Sequence, residues 1–157
     1  INSITNDEHP PCLTFDIFVN KSKAILLLDC GAQGGNFMSK TFAIENGIQY
    51  AKNSTVDVRV GDGRIIKAYT AYNVIVRKKG YSEKLTFQII PNLAYDDILG
   101  MMWLTRWQPD VNWRARDLKF IKDGKKFHWE AHDSRKEGLT KLAIYLWTNS
   151  INTPKPI

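Results

Sequence analysis

The residue pattern predicts an all-β or mainly-β domain, a barrel or a sandwich, with one or two short helices. Three observations carry this prediction. Short apolar runs alternate with a period of two, turn residues such as Asp-Gly and Lys-Gly separate them, and only two stretches show helical spacing. The chain has 157 residues, 43% hydrophobic and 24% charged, which fits one globular domain burying about 70% of its unfolded surface.

Residues 1–12 are mostly polar, include Pro10-Pro11 and read as a flexible arm. Leu13, Phe15, Ile17 and Val19 alternate with other residues and predict a half-buried strand; Asn20 to Lys23 make a turn. Ala24 to Asp29 is a continuous apolar run that predicts a fully buried strand ending on Asp29. Asn36 to Ile44 is apolar without a clean period and fits either a short strand or a helical turn. Val56 to Val60 alternates, Gly61-Asp62-Gly63 interrupts it, and Arg64 to Val76 resumes: a hairpin whose Asp-Gly pair suits a primed turn with positive φ. Lys78 to Gly80 is a further turn before a strand over Lys84 to Ile90. Ile98, Leu99, Met102 and Trp103 stand at helical spacing, so a short helix follows Leu99-Gly100, and Asp96-Asp97 are read as its caps. Short strands are predicted at Val111 to Trp113, Leu118 to Ile121 and Lys125 to Trp129, the last two joined through Asp123-Gly124. Lys136 to Trp147 is helix-like and a polar, Pro-containing tail follows.

Composition excludes several classes. No stretch of 18 apolar residues exists to form a membrane-spanning helix, and the N-terminus has neither the basic start nor the apolar centre of a signal peptide. It lacks an initiator Met, so a chain cut from something longer is expected. Two cysteines, Cys12 and Cys30, are too few for a disulfide framework and suggest a reducing, intracellular compartment; the sequons at Asn20 and Asn53 are then chance. The net charge of +6 is spread along the chain. Its densest run, Arg114 to Lys126, reads as a solvated strand face, and no nucleic-acid partner is expected for this domain.

Chemistry concentrates in Leu26-Leu27-Leu28-Asp29-Cys30-Gly31-Ala32. A carboxylate at the end of a buried strand is expensive unless partnered, so Asp29 is either a functional acid or the start of an Asp-x-Gly turn. Three other constellations are weaker. Gly31 to Gly35 lacks the Lys-Ser/Thr ending of a phosphate loop. His128, Glu130 and His132 would share one strand face, but a solvated strand end is expected there and no metal site. Asp96 and Asp97 are adjacent, so they point apart and do not work as a pair.

Leu27-Leu28-Asp29-Cys30-Gly31-Ala32, followed by Gly35 to Ser39, resembles the active-site region of retropepsin-like aspartic proteases. The likeness is to those of gypsy-type long-terminal-repeat retrotransposons and genes derived from them. Tyr95 to Leu104 is similar to that family's hydrophobic-hydrophobic-Gly element (here Ile98-Leu99-Gly100) and the helix after it; Val111 to Trp113 with Leu118 to Phe120 resembles the next strand pair. The resemblance implies a closed β-barrel over residues 13–121, with 122–157 as a C-terminal extension, working as a homodimer. It implies Asp29 as the catalytic acid, supported by Cys30, Gly31 and Ala32, with Gly61, Asp62 and Gly63 in a substrate-covering flap. The chain holds one Asp-x-Gly, and Asp62-Gly63 and Asp123-Gly124 lack its intervening residue. Two carboxylates therefore require two copies of the chain. No metal or cofactor is implied; the implied substrate is a polypeptide, its own polyprotein, and the implied location is the cytoplasm or virus-like particles. Cys30 departs from the family's Ser or Thr, a better donor to the partner. That departure keeps open a second reading, a catalytically weak or silent barrel acting as a dimerisation or peptide-binding module.

Overall fold

A computed structural model describes residues 12–132; the helix expected at Lys136 to Trp147 lies outside the described residues. In chain order the elements are β1 (Thr14–Val19), β2 (Ser22–Leu28), β3 (Asn36–Ser39), α1 (Lys40–Glu45), β4 (Ala51–Arg59), β5 (Ile65–Lys78) and β6 (Tyr81–Ile90). They continue with β7 (Asp97–Leu99), α2 (Met101–Trp107), β8 (Asp110–Asn112), β9 (Asp117–Lys122) and β10 (Lys125–Glu130). The large sheet runs β1-β2-β7-β3-β6-β5-β4, and β1 also pairs with β5. That extra pairing closes six strands into a ring and leaves β4 outside it, attached only to β5. The prediction of a closed β-barrel with one or two short helices holds: α2 is the helix expected after Leu99-Gly100, and α1 falls in the stretch whose pattern fits either a strand or a helical turn. Closure also satisfies backbone groups that would otherwise line an open sheet edge.

Strand by strand, the apolar pattern explains the placement. Phe15, Ile17 and Val19 are buried while Asp16 and Phe18 face solvent, as a period of two demands. The continuous run on β2 has a different cause: Leu26 joins the main core and Leu27 a smaller second core on the opposite face. Both faces of β2 are covered, so both must be apolar. The ambiguous stretch after it holds one element of each kind. β3 ends at Ser39, whose hydroxyl caps α1 by accepting from the Phe42 amide at 3.2 Å.

A second, three-stranded sheet, β10-β9-β8, packs its inner face on the barrel. Its aromatic side chains Phe120, Phe127 and Trp129 meet Phe15, Tyr81 and Trp103, with Trp103 and Trp129 stacked at 5.5 Å. Glu83 on β6 fastens α2 to this cluster: its Oε1 accepts from Trp103 Nε1 (3.2 Å) and Trp107 Nε1 (3.0 Å).

Two expectations are corrected. The Asp62-Gly63 turn is not a primed turn, because only Gly63 has positive φ (89°). The Gly63 amide donates to Val60 and the Val60 amide to Arg64, which makes a three-residue loop, Gly61-Asp62-Gly63, closed by a left-handed glycine. Primed turns occur instead at Lys79-Gly80 and Asp123-Gly124, where both residues have positive φ. Asp96 and Asp97 also cap nothing: α2 begins at Gly100 without a side-chain cap. Asp96 Oδ2 accepts from the Ile25 amide at 2.8 Å, and Asp97 is fully buried on β7.

Trp129 is fully buried against four aromatic side chains, Phe15, Tyr81, Trp103 and Phe120, so Trp129→Ala is expected to destabilise the fold by about 3–5 kcal/mol. Urea denaturation followed by fluorescence measures this; a loss below about 1 kcal/mol would mean that β10 is peripheral to the core.

Candidate active site

Asp29 follows directly on β2 and its position is set by β7. β2 and β7 run parallel, with Leu26, Leu27 and Leu28 opposite Asp97, Ile98 and Leu99. The register carries one residue further, where the Asp29 amide donates to the Leu99 carbonyl at 3.1 Å. The chain then turns sharply. The Ala32 amide donates to the Asp29 carbonyl (3.0 Å), and the Gly31 amide donates to Asp29 Oδ1 (2.9 Å). Asp29 is therefore both the start of an Asp-x-Gly turn and a nearly buried acid, 8% exposed. Its second oxygen, Oδ2, is buried and has no hydrogen-bond partner among the described residues. Burial pushes the Asp29 carboxyl above the usual carboxylate range, and the Gly31 amide offsets part of that rise.

Gly100 closes the other side of the loop. A Cβ built there would stand 2.2 Å from the Ala32 carbonyl oxygen and 2.6 Å from that of Gly35. Its φ of −104° is open to any residue, so space, not conformation, demands glycine. The Met101 amide donates to the same Ala32 carbonyl at 2.9 Å. Asn36 adds a link that the sequence did not single out. Its Oδ1 accepts from the Gly100 amide (3.4 Å), and its Nδ2 donates to the Thr86 carbonyl (3.3 Å). An Asn at the head of a buried strand is the signal that would have found it.

The expected residues fall into two groups. Asp29, Cys30, Gly31, Ala32, Ile98, Leu99 and Gly100 come together in this one loop-and-strand junction. Ala32, Ile98 and Leu99 are buried, and the Cys30 thiol is exposed. Gly61, Asp62 and Gly63 form the tip of the β4–β5 hairpin, outside the ring. That tip is braced by Asp62, which accepts from the Arg64 amide (3.0 Å) and pairs with Arg64 Nε (2.6 Å). These bonds hold the Asp62 carboxyl below its ordinary value. Between the hairpin and the Asp29 loop lies a cavity of about 450 Å³, lined among others by Gln33 and Gly34 from the loop, Phe37 from β3, and Val56 and Val58 from β4.

The remaining constellations go elsewhere. Gly31 and Ala32 spend their amides on Asp29, and the segment after Gly35 is a strand, not the helix a phosphate loop needs. His128 Nε2 pairs with Asp117 Oδ2 at 2.8 Å. The basic run disperses: Lys122 lies over the Trp107 ring, Arg116 donates to the Cys12 carbonyl, and Lys119 and Lys126 share their strand face with Asp117 and Glu130. A second cavity of about 750 Å³, beside Trp107, Phe120 and Phe127, shares no residue with the Asp29 loop. No helix of the described residues is long and apolar enough to cross a membrane.

Residues 25–128 match the family described as the PEG10/RTL1 protease domain. The chain belongs to that family. The PEG10/RTL1 protease domain is retrotransposon-derived, in keeping with the resemblance drawn from the Asp29 and Gly100 segments. Among solved structures, the retroviral protease-like domain of Ddi1 from Leishmania major superposes with a TM-score of 0.56 at 16% identity, covering 79% of this chain and 96% of that one. This likeness shows a shared fold, the retropepsin-like barrel. EIAV protease complexed with the inhibitor HBY-793 (21% identity, 62% and 88% covered, TM-score 0.49) is a more distant likeness. So is a retropepsin-like aspartic protease from Rickettsia conorii (20% identity, 63% and 75% covered, TM-score 0.46).

The Gly100 contact yields a direct expectation. Gly100→Ala forces the Asp29 loop and β7 apart and destabilises the domain by about 1–3 kcal/mol. A chemical denaturation midpoint unchanged from wild type would show that the junction is looser than its geometry.

Proposed function

We propose that this PEG10/RTL1-type domain is an aspartic endopeptidase whose active unit is a homodimer with two Asp29 carboxyls facing one another. The observation that carries this reading is the unpartnered Oδ2 of Asp29. A nearly buried carboxyl oxygen without a hydrogen bond is costly, and a protonated second carboxyl brought to it by a two-fold axis would satisfy it. Two acids that close share one proton, and burial of each already favours the neutral form. In the dimer the ionised Asp29 takes a proton from an attacking water while the protonated Asp29 donates to the scissile carbonyl oxygen. The resulting tetrahedral diol collapses as a proton passes to the leaving nitrogen. The titration belongs to the pair.

Gly31 and Ala32 shape this centre by fixing Asp29 Oδ1 and its carbonyl, and Ile98, Leu99 and Gly100 hold it from behind. Gly61, Asp62 and Gly63 lie at the tip of a hairpin that would close over an extended peptide, pairing with its backbone as an added strand. Residues 13–121 form the protease domain proper in this reading. The substrate is a polypeptide, the element's own polyprotein by analogy with the resemblance, and the site of action is the cytoplasm or a particle within it.

Cys30 favours a second reading, a weak or silent domesticated barrel that binds peptide or dimerises only. Its exposed thiol is a poorer donor across a dyad than a hydroxyl. One comparison separates the two. Wild type is expected to cleave a polypeptide in a manner blocked by a transition-state-mimicking aspartic protease inhibitor. Asp29→Asn is expected to lose at least about 10³-fold in rate while remaining folded. Equal inertness of the two proteins as stable dimers supports the silent module instead. Cys30→Ser is expected to tighten self-association about 5-fold or more, read by sedimentation, because a hydroxyl donates better than a thiol. Cleavage should fall as pH rises, since the shared proton departs; a rate that climbs steadily into the alkaline range argues against a carboxyl dyad.

A further inference from the structure

Asp97 occupies a place that an acid should not occupy. It opens the three-residue strand β7, with Leu26 of β2 on one side and Met38 of β3 on the other. Both neighbours belong to the main core, and Asp97 itself has no exposed surface. Neither of its carboxyl oxygens has a hydrogen bond among the described residues. Asp96, one residue earlier, is held from outside: its side chain takes the Ile25 amide and its carbonyl takes the Ser39 amide. The pair thus divides at the start of β7 into one acid with a backbone partner and one without.

β7 is also the strand that locates the candidate active site. Two residues beyond Asp97, the Leu99 carbonyl receives the Asp29 amide, and Gly100 and Met101 press against the Ala32 carbonyl. With three residues paired on β2 and two on β3, the strand has few backbone bonds to resist an outward push.

We propose that Asp97 is a positioning residue whose uncharged carboxyl keeps β7 seated between β2 and β3, so that its ionisation unseats β7 and with it the Asp29 loop. Its consequence for catalysis rests on the endopeptidase reading; its consequence for the fold does not. The residues opposite it, Leu26 and Met38, are not titratable. The charge that acts on it comes from Asp96, the residue just before the strand, and like charge disfavours ionisation. Burial acts in the same direction, more strongly. The sign of the linkage follows. A carboxyl raised in the folded state contributes stability that is fully present below the unfolded value and is lost as pH rises through the folded value. The domain should thus loosen at β7 on going from mildly acidic to alkaline pH.

The test uses the full chain as wild type, Asp97→Val and Asp97→Asn, the last keeping the shape should the first not fold. Thermal midpoints by tryptophan fluorescence, and the hydrogen-exchange protection factor of the Asp29 amide, are measured from pH 5 to pH 8. Wild type is expected to lose about 5 °C or more and at least tenfold in protection. A neutral variant is expected to lose less than half as much, the remainder belonging to Asp29. Equal pH dependence in wild type and a folded neutral variant overturns the proposal. Peptide cleavage is followed in parallel, and its alkaline limit should move up by about one unit in the neutral variant. If nothing is cleaved but the midpoints separate as stated, Asp97 acts as proposed and the endopeptidase reading fails. If cleavage occurs and the midpoints coincide, the reverse holds.

Discussion

The structure depends on a close fit between two pieces of backbone: the loop that carries Asp29 and the strand β7 behind it. Gly100 has room for no side chain against the Ala32 and Gly35 carbonyls, and the Leu99 carbonyl takes the Asp29 amide. β7 in turn is held because β2 and β3 grip it from either side, one parallel and one antiparallel. The ring of six strands makes that grip possible. A carboxylate on a free loop would wander and stay solvated; here the barrel delivers it nearly buried, with one oxygen already committed to Gly31.

That delivery has a cost, which the rest of the fold must offset. Two acids, Asp29 and Asp97, have buried oxygens without hydrogen bonds in the same small region. The aromatic cluster built from Phe15, Tyr81, Trp103, Phe120, Phe127 and Trp129 supplies apolar burial on the same side of the chain as α2, the helix that continues from Gly100. Burial of large aromatic side chains is the strongest stabilising term available to a domain of this size. Strained electrostatics next to a rigid apolar mass is a common arrangement where a reactive group must be held in place.

Much of this was legible in the residues. The period of two gave β1, and the three consecutive leucines gave a strand covered on both faces. The Asp-x-Gly and hydrophobic-hydrophobic-Gly segments fell together although about 70 positions apart, as a parallel β2–β7 pair requires. The legible part is therefore the part set by local pattern plus one recognisable pair of segments. What was not legible depends on tertiary context. Asp96-Asp97 reads as a helix cap because acids before a helix usually are; only the pairing of β7 with β2 and β3 decides that one acid holds Ile25 and the other is entombed. Asn36 to Ile44 had no single period because it holds a strand and a helix joined at Ser39. The turn at Gly61-Asp62-Gly63 is not a primed one because Gly61 enlarges the loop to three residues, and an Asp-Gly pair carries no information about loop length. The basic run from Arg114 to Lys126 looked continuous along the chain, yet strand alternation and the turns send its members in several directions.

With one Asp-x-Gly acid in each chain, the proposed hydrolysis turns on whether two chains are needed for one reaction. The most direct measurement is the peptide-cleavage rate per chain as a function of protein concentration, with molar mass determined by sedimentation on the same samples. The account predicts that the rate per chain rises in proportion to the dimer fraction and vanishes on dilution to monomer. Full activity in a chain that sediments as a monomer at every concentration would contradict it.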